Sequence, residues 1–117
     1  MINQGGTVTV YDGLASEMRR GLLTLAVLAE CNVPQYGYSL KQSLSQRGLE
    51  INEGTLYPLL RRLEEQGLLT SQWQLADESR PRRYYLISSQ GQSALHLLSS
   101  EWRRLSRSLD GLLTQEE

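Results

Sequence analysis

Cysteine is nearly absent from this chain. Cys31 stands alone, so no internal disulfide can form, which fits a reducing compartment. Histidine is equally scarce: His96 has no second imidazole and only one thiol to join it, too few ligands for a zinc site, so neither a metal nor a cofactor is expected. Long apolar runs are missing as well. The longest mostly apolar stretch, Leu22 to Ala29, is far shorter than the roughly 20 residues that cross a bilayer. The first residues lack the charged-then-apolar layout of a signal peptide, so the expected location is the cytoplasm. There is no phosphate-cradling glycine loop, no nucleophile elbow and no paired acid–base motif, and an enzyme is not expected. Excess positive charge is absent too: 12 basic residues face 13 acidic ones, for a net charge of −1. That sum alone speaks mildly against a nucleic-acid binder.

The distribution of charge says more than the sum. Eleven of the 12 basic residues are arginine, Lys41 being the exception, and three crowd into Arg80-Pro81-Arg82-Arg83. Arginine suits bidentate contacts to phosphate and guanine. At 117 residues the chain has the size of one domain.

The most informative stretch runs from Asn52 to Gly67. Leu56, Leu59, Leu60 and Leu63 recur at i, i+3, i+4 and i+7 and form one apolar stripe on a helix. Gly54, Tyr57, Pro58, Arg61 and Glu65 fall on or near the opposite side. Gly, Tyr and Pro rarely gather on a plain solvated face; they suit a helix that lies close to another surface. Pro58 inside a helix would clash with the Gly54 carbonyl. The preferred arrangement starts the helix at Thr55, which places Pro58 in the first turn, with Glu53 and Gly54 as a lead-in. Gly67 then ends the helix.

Around this stretch the chain reads in order. Residues 1–13 are Gly-rich and then alternate as Thr7-Val8-Thr9-Val10-Tyr11, giving a loose terminus, a short strand or an arm ordered on a partner. A first helix, capped by Asp12 or Ser16, runs to about Glu30 with Leu14, Met18, Leu22, Leu25, Ala26 and Ala29 as its buried side. Leu23, Val27 and Leu28 widen that stripe, which suggests a central helix that also meets a second subunit. Tyr36-Gly37-Tyr38 opens a second helix carrying Leu40 and Leu44, and Gly48 closes it. Helix, short connection, helix is the helix-turn-helix layout. After Gly67 the period changes from 3.6 to 2 across Leu68 to Leu75. Ala76 to Pro81 reads as a turn and Arg83 to Ile87 as a returning strand, so a hairpin wing follows the helix pair. The last helix starts after Ser88 or Ser89, its first turn slightly weakened by Gly91. From Leu95 it carries a heptad seam of Leu95, Leu98, Trp102, Leu105, Leu109 and Leu112. A lone helix cannot hide that seam, and pairing about a twofold axis is the simplest remedy.

The run Gly54-Thr55-Leu56-Tyr57-Pro58-Leu59-Leu60-Arg61-Arg62-Leu63 followed by Gly67-Leu68-Leu69, with Tyr36-Gly37-Tyr38 upstream and Tyr84-Tyr85 downstream, resembles the PadR-type transcriptional regulators. The resemblance covers roughly Met18 to Leu113. It implies a winged helix-turn-helix domain and a C-terminal dimerisation helix. Some short regulators of this kind bind flat aromatic compounds between subunits through aromatic residues on the last helix, which would make Trp102 a ligand contact; packing in the dimer seam is its other reading.

The fold expected is thus mainly α with a small β-hairpin: an N-terminal arm (1–13), a winged helix-turn-helix domain (14–88) and a C-terminal dimerisation helix (89–117). The function expected is sequence-specific binding of double-stranded DNA by a homodimer at a pseudo-palindromic operator in the cytoplasm, associated with the nucleoid. Repression relieved by a small aromatic effector is the expected mode. Gly54, Thr55, Tyr57 and Pro58 would lie nearest the bases, and Arg61 would reach a base edge or phosphate. Tyr38, Ser39 and Lys41 would hold the backbone, and Arg80, Arg82 and Arg83 would grip flanking phosphates. Arg62, on another side, would pair with an acidic neighbour. Cys31 reads as a small buried side chain, with a redox sensor as the lesser reading. The rival from another class is a winged-helix module that binds a protein partner and not DNA.

Overall fold

The computed structural model describes residues 4–75 and 80–114. Among them, four helices and a hairpin follow in the order α1 (Gln4–Glu30), α2 (Gly37–Gln46), α3 (Glu53–Glu65), β1 (Leu69–Leu75), β2 (Pro81–Ile87) and α4 (Ser89–Thr114). The strands pair antiparallel from Leu69↔Ile87 to Leu75↔Pro81. The mainly α architecture with a small hairpin is therefore as the sequence pattern predicts. Of the turn expected over Ala76 to Pro81, Ala76 to Ser79 lie outside the described residues, and Pro81 already belongs to β2, two residues before the expected strand start at Arg83.

One core holds these elements. Leu56, Leu59, Leu60 and Leu63, the predicted stripe of α3, are all buried, and they join Leu40 and Leu44 of α2, Val27 and Leu28 of α1, and Leu69, Tyr85 and Ile87 of the hairpin. Burying a leucine contributes roughly 1.5–3 kcal/mol, so α3 is anchored firmly by its inner face and leaves its outer face to other uses. The link between α1 and α2 is stitched to the wing. Gln35 N–H donates to the Tyr85 carbonyl (3.0 Å), Tyr85 N–H donates back (2.7 Å), and Ile87 N–H donates to the Cys31 carbonyl (2.8 Å). The Gln35 side chain is buried but satisfied, donating to the Glu30 carbonyl and accepting from the Ser39 hydroxyl.

The last helix leaves the core early. Ser88 caps it, its hydroxyl accepting from Gly91 N–H (2.9 Å) and donating to the Gly67 carbonyl (2.6 Å). Gly91 is not merely a weak point in the first turn. It is buried, and a Cβ there would collide with the Leu68 carbonyl oxygen and reach Ile87 Cγ1 at 2.7 Å. Only glycine lets α4 cross the chain between α3 and β1 so closely. Beyond the half-buried Leu95, every seam residue from Leu98 to Leu112 is exposed.

Three expectations need correction. Thr7 to Tyr11 form neither a strand nor an irregular arm: α1 is helical from Gln4. The buried side of α1 is also not the predicted one. Leu14 is 63% and Met18 69% exposed, Ala29 is exposed, and Leu22, Leu25 and Ala26 are only partly covered, whereas Leu23, Val27 and Leu28 are buried. A helix apolar over most of its circumference does not announce which face meets its own chain. Finally, α3 starts at Glu53, not Thr55. The Asn52 side chain accepts from Thr55 N–H (2.9 Å), and the Asn52 carbonyl accepts from Leu56 N–H (2.9 Å). Asn52 caps the helix ahead of Pro58, four buried leucines hold it in place, and the donor that Pro58 lacks costs little because Gly54, whose carbonyl loses it, is exposed.

Candidate nucleic-acid interface

The outer face of α3 is formed by the residues that its inner stripe leaves out. Gly54, Thr55, Tyr57, Pro58 and Arg61 are all exposed, Tyr57 at 39%. The Tyr57 ring leans across the start of α2. A Cβ at Gly37 would come within 2.6 Å of Tyr57 Cε1 and Cζ and would collide with its hydroxyl. The glycine of Tyr36-Gly37-Tyr38 thus makes room for the aromatic side chain on the outer face of α3, and α2 and α3 set each other's surface.

An aromatic ridge continues from α2 onto the wing. The Tyr36 and Tyr38 rings stack at 6.4 Å, Tyr84 meets Tyr36 edge-on at 5.3 Å, and the Arg82 guanidinium lies 4.3 Å from the Tyr36 ring centre. Tyr38 is exposed, and its hydroxyl accepts from Gln42 Nε2 (3.2 Å). Between ridge and helix lies an open cleft of about 350 Å³ lined by Tyr36, Tyr57, Arg61, Trp73, Arg82 and Arg83. The structure therefore gathers Tyr57, Arg61, Arg82 and Arg83, assigned separately from the sequence, around one cavity. Tyr36, Tyr84 and Trp73 belong to the same surface, a placement that the sequence pattern alone does not predict. The signal for two of them was present, since Tyr36-Gly37-Tyr38 and Tyr84-Tyr85 are aromatic pairs on adjoining segments.

Two assigned residues turn inward. Ser39 accepts from Tyr36 N–H (3.0 Å), and its own proton points to Gln35 Oε1 (2.7 Å), so it caps α2 and is not offered to a phosphate. Arg83 donates through its Nε to Ser71 Oγ (3.0 Å) and through its terminal amino group to Glu64 Oε1 (2.8 Å), while Ser71 Oγ donates to Glu64 Oε2 (2.7 Å). This network ties the wing to the end of α3 and neutralises the Glu64 carboxylate beside the interface. The ion pair is partly exposed, so about 1 kcal/mol is its scale. Arg80 is exposed just before β2, and Lys41 is half-buried on α2. Arg62 makes no ion pair among the described residues, contrary to the expected acidic partner; Glu64 goes to Arg83.

The sequence profile described as the transcriptional regulator PadR-like family matches residues 24–97, more than half of the chain. The chain belongs to the PadR family. It is 45% identical over 60 residues to the transcriptional regulator Rv3488 of Mycobacterium tuberculosis (strain ATCC 25618 / H37Rv), a match that spans 51% of this chain and only 55% of that regulator's length. The crystal structure of a PadR family transcriptional regulator from Eggerthella lenta DSM 2243 superimposes with a TM-score of 0.87 at 39% identity, covering 92% of this chain and 96% of that one. A PadR-like transcriptional regulator from Bacillus cereus strain ATCC 14579 superimposes with a TM-score of 0.75 at 28% identity, covering 83% and 96%. PadR proteins are transcriptional regulators and not enzymes, and membership implies regulation through DNA.

Outside the interface, the remaining candidates are quieter. Among the described residues no three His, Cys, Asp or Glu side chains gather to hold a metal ion, and no helix is long and apolar enough to cross a membrane. Cys31 is fully buried, and burial, with Glu30 adding to it, pushes its thiol up to about 12. A thiol kept protonated in this way is inert, which favours the packing role over redox sensing. Trp102 is 44% exposed on α4.

Proposed function

We propose that this PadR-family chain is a sequence-specific double-stranded DNA-binding repressor that works as a homodimer in the cytoplasm, on the nucleoid. The observation that carries the reading is the anchored α3, whose outer face carries Gly54, Thr55, Tyr57, Pro58 and Arg61 and adjoins an aromatic and arginine-lined wing. A helix held by four buried leucines presents a rigid outer face to a major groove. Thr55, Tyr57 and Pro58 lie nearest the bases, and Arg61 reaches a guanine edge or a phosphate. Tyr38 and Lys41 hold one stretch of backbone, Arg80 and Arg82 another, and Arg83 braces the wing.

Two open apolar stripes support the dimer. One is the α4 seam of Leu98, Trp102, Leu105, Leu109 and Leu112, and the other is Tyr11, Leu14 and Met18 on α1. Exposed apolar area of this extent is characteristic of an interaction surface. Paired about a twofold axis, two copies place their recognition helices about 34–36 Å apart, one turn of B-DNA, or a multiple of that. Trp102 pairs across the axis, where a flat aromatic effector stacks and changes the angle between the last helices. Such a compound relieves repression only by binding one spacing better than the other.

Selection of bound duplexes from a random pool, with the footprint length read out, tests the reading. A two-part, roughly symmetric site supports it. Retention of no duplex, at any salt concentration, refutes it and favours the protein-partner module that the net charge of −1 allows.

A further inference from the structure

A second open cleft, of about 390 Å³, lies on the other flank of α3, where α1, α2 and the start of α3 meet. Arg19, Arg20, Lys41 and Thr55 line it together with Glu50 and Asn52. Lys41 and Thr55 already carry DNA-facing roles in the reading above; Arg19 and Arg20, on α1, carry none. We infer that Arg19 and Arg20 are DNA-contacting residues, and that with Lys41 they grip the phosphate backbone on the flank of the major groove opposite the wing. The inference rests on the DNA-binding reading.

A helix seated in a major groove about 12 Å wide has a phosphate strand on each side. Tyr57 and Arg61 line the wing-side cleft, whereas Asn52 and Thr55 line this one, so the two cavities flank the exposed face of α3. The wing supplies cations on its side. On the other, three cations converge against a single lining carboxylate, Glu50, which accepts the Ser45 hydroxyl at 2.9 Å. Among the described residues Arg19, Arg20 and Lys41 make no ion pair, unlike Arg47, Arg83 and Arg104. Unneutralised cations are the ones whose phosphate contacts release counterions.

Helix periodicity keeps this role apart from dimerisation. At about 100° per residue, Arg19, Arg20 and Leu23 lie on the side of α1 away from Leu14 and Met18. One face of α1 is thus open and apolar, and the opposite face turns two arginines toward the start of the recognition helix.

The test is a salt titration of duplex binding with the full chain and its Arg19→Gln, Arg20→Gln double variant. Arg104→Gln, on exposed α4, serves as control, and thermal melts verify folding. The slope of log affinity against log salt should fall by about 1.8 for two lost phosphate contacts. Affinity at about 0.15 M salt should drop roughly thirtyfold if the curves meet near 1 M, on operator and random duplex alike. Arg19→Lys, Arg20→Lys should restore the slope, because a phosphate contact needs the charge. A wild type that binds DNA with a double variant of unchanged slope overturns this inference and leaves the DNA reading intact. A wild type that binds no duplex overturns both.

Discussion

Gly37→Ala puts the contact between α2 and α3 to a test whose sign is informative. Gly37 sits at the first position of α2 with no need for a left-handed backbone, so alanine there should ordinarily stabilise, by up to about 1 kcal/mol. The structure reverses that expectation, because the new methyl would enter the Tyr57 ring. Overpacking of this kind costs about 1–3 kcal/mol, unless the ring swings aside, in which case Tyr57 leaves the position from which the proposed reading has it meet a base. The net change should be a loss of about 1 kcal/mol, or roughly 3–6 °C in Tm for a chain of this size, with weakened discrimination between operator and random duplex. In a Tyr57→Ala background the same substitution should raise Tm, since the obstacle is gone. Thermal melts of the four proteins form a double-mutant cycle with an expected coupling of about 1–3 kcal/mol. If Gly37→Ala raises Tm equally in both backgrounds and leaves discrimination intact, Tyr57 does not pack where the structure places it.

Further predictions concern the wing, the last helix and the thiol. Arg83→Ala should lower stability by about 1 kcal/mol, because it removes the cation that pairs with the part-buried Glu64, and should change the salt slope little; Arg82→Ala should reduce the salt slope by about 0.9, measured by melts and salt titration in parallel. Gly91→Ala should cost at least about 2 kcal/mol in a denaturant titration, because its methyl meets backbone at Leu68, which cannot swing away. Cys31 should resist iodoacetamide at pH 8 in the native protein and react after unfolding. Its raised thiol also makes the folded state hold its proton longer than the unfolded one, so this contribution to stability is intact below about pH 9 and declines between about 9 and 12. Urea midpoints measured across that range should fall in wild type and fall less in Cys31→Ala.

The readable part of the architecture is the part governed by local periodicity. The α3 stripe and the change of period at Gly67 each follow from residues a few positions apart and have the predicted placement, and the α4 seam residues from Leu98 to Leu112 lie exposed on one helix while Leu95 packs against the core. What eluded the sequence depends on which distant segments meet. Leu14 and Leu23 look equally suited to a core, and only the segments that pack against α1, α2 and α4 foremost, decide that Leu23 is the buried one. Pro58 invites a late helix start, yet the helix is capped at Asn52 and held by its buried leucines from Leu56 onward. Gly91 resembles a flaw in a helix until the Leu68 carbonyl is placed beside it. Arg83 looks like its neighbours Arg80 and Arg82, but its strand register sets it beside Ser71 and Glu64. Among the candidate site residues, Tyr57 and Arg61 were legible because a helix wheel turns them outward. Arg19 and Arg20 were not, since nothing near them in the chain shows that α1 passes the start of α3.

The central claim is that two outward faces, held by one dimer, read two half-sites on the same side of a duplex. Once a selected operator is in hand, inserting about five base pairs between its halves turns one half-site to the opposite side of the helix. The account predicts that affinity then collapses toward the non-specific level and returns when about ten base pairs are inserted only if the last helices can stretch to that span. Undiminished affinity after the five-base-pair insertion would contradict it.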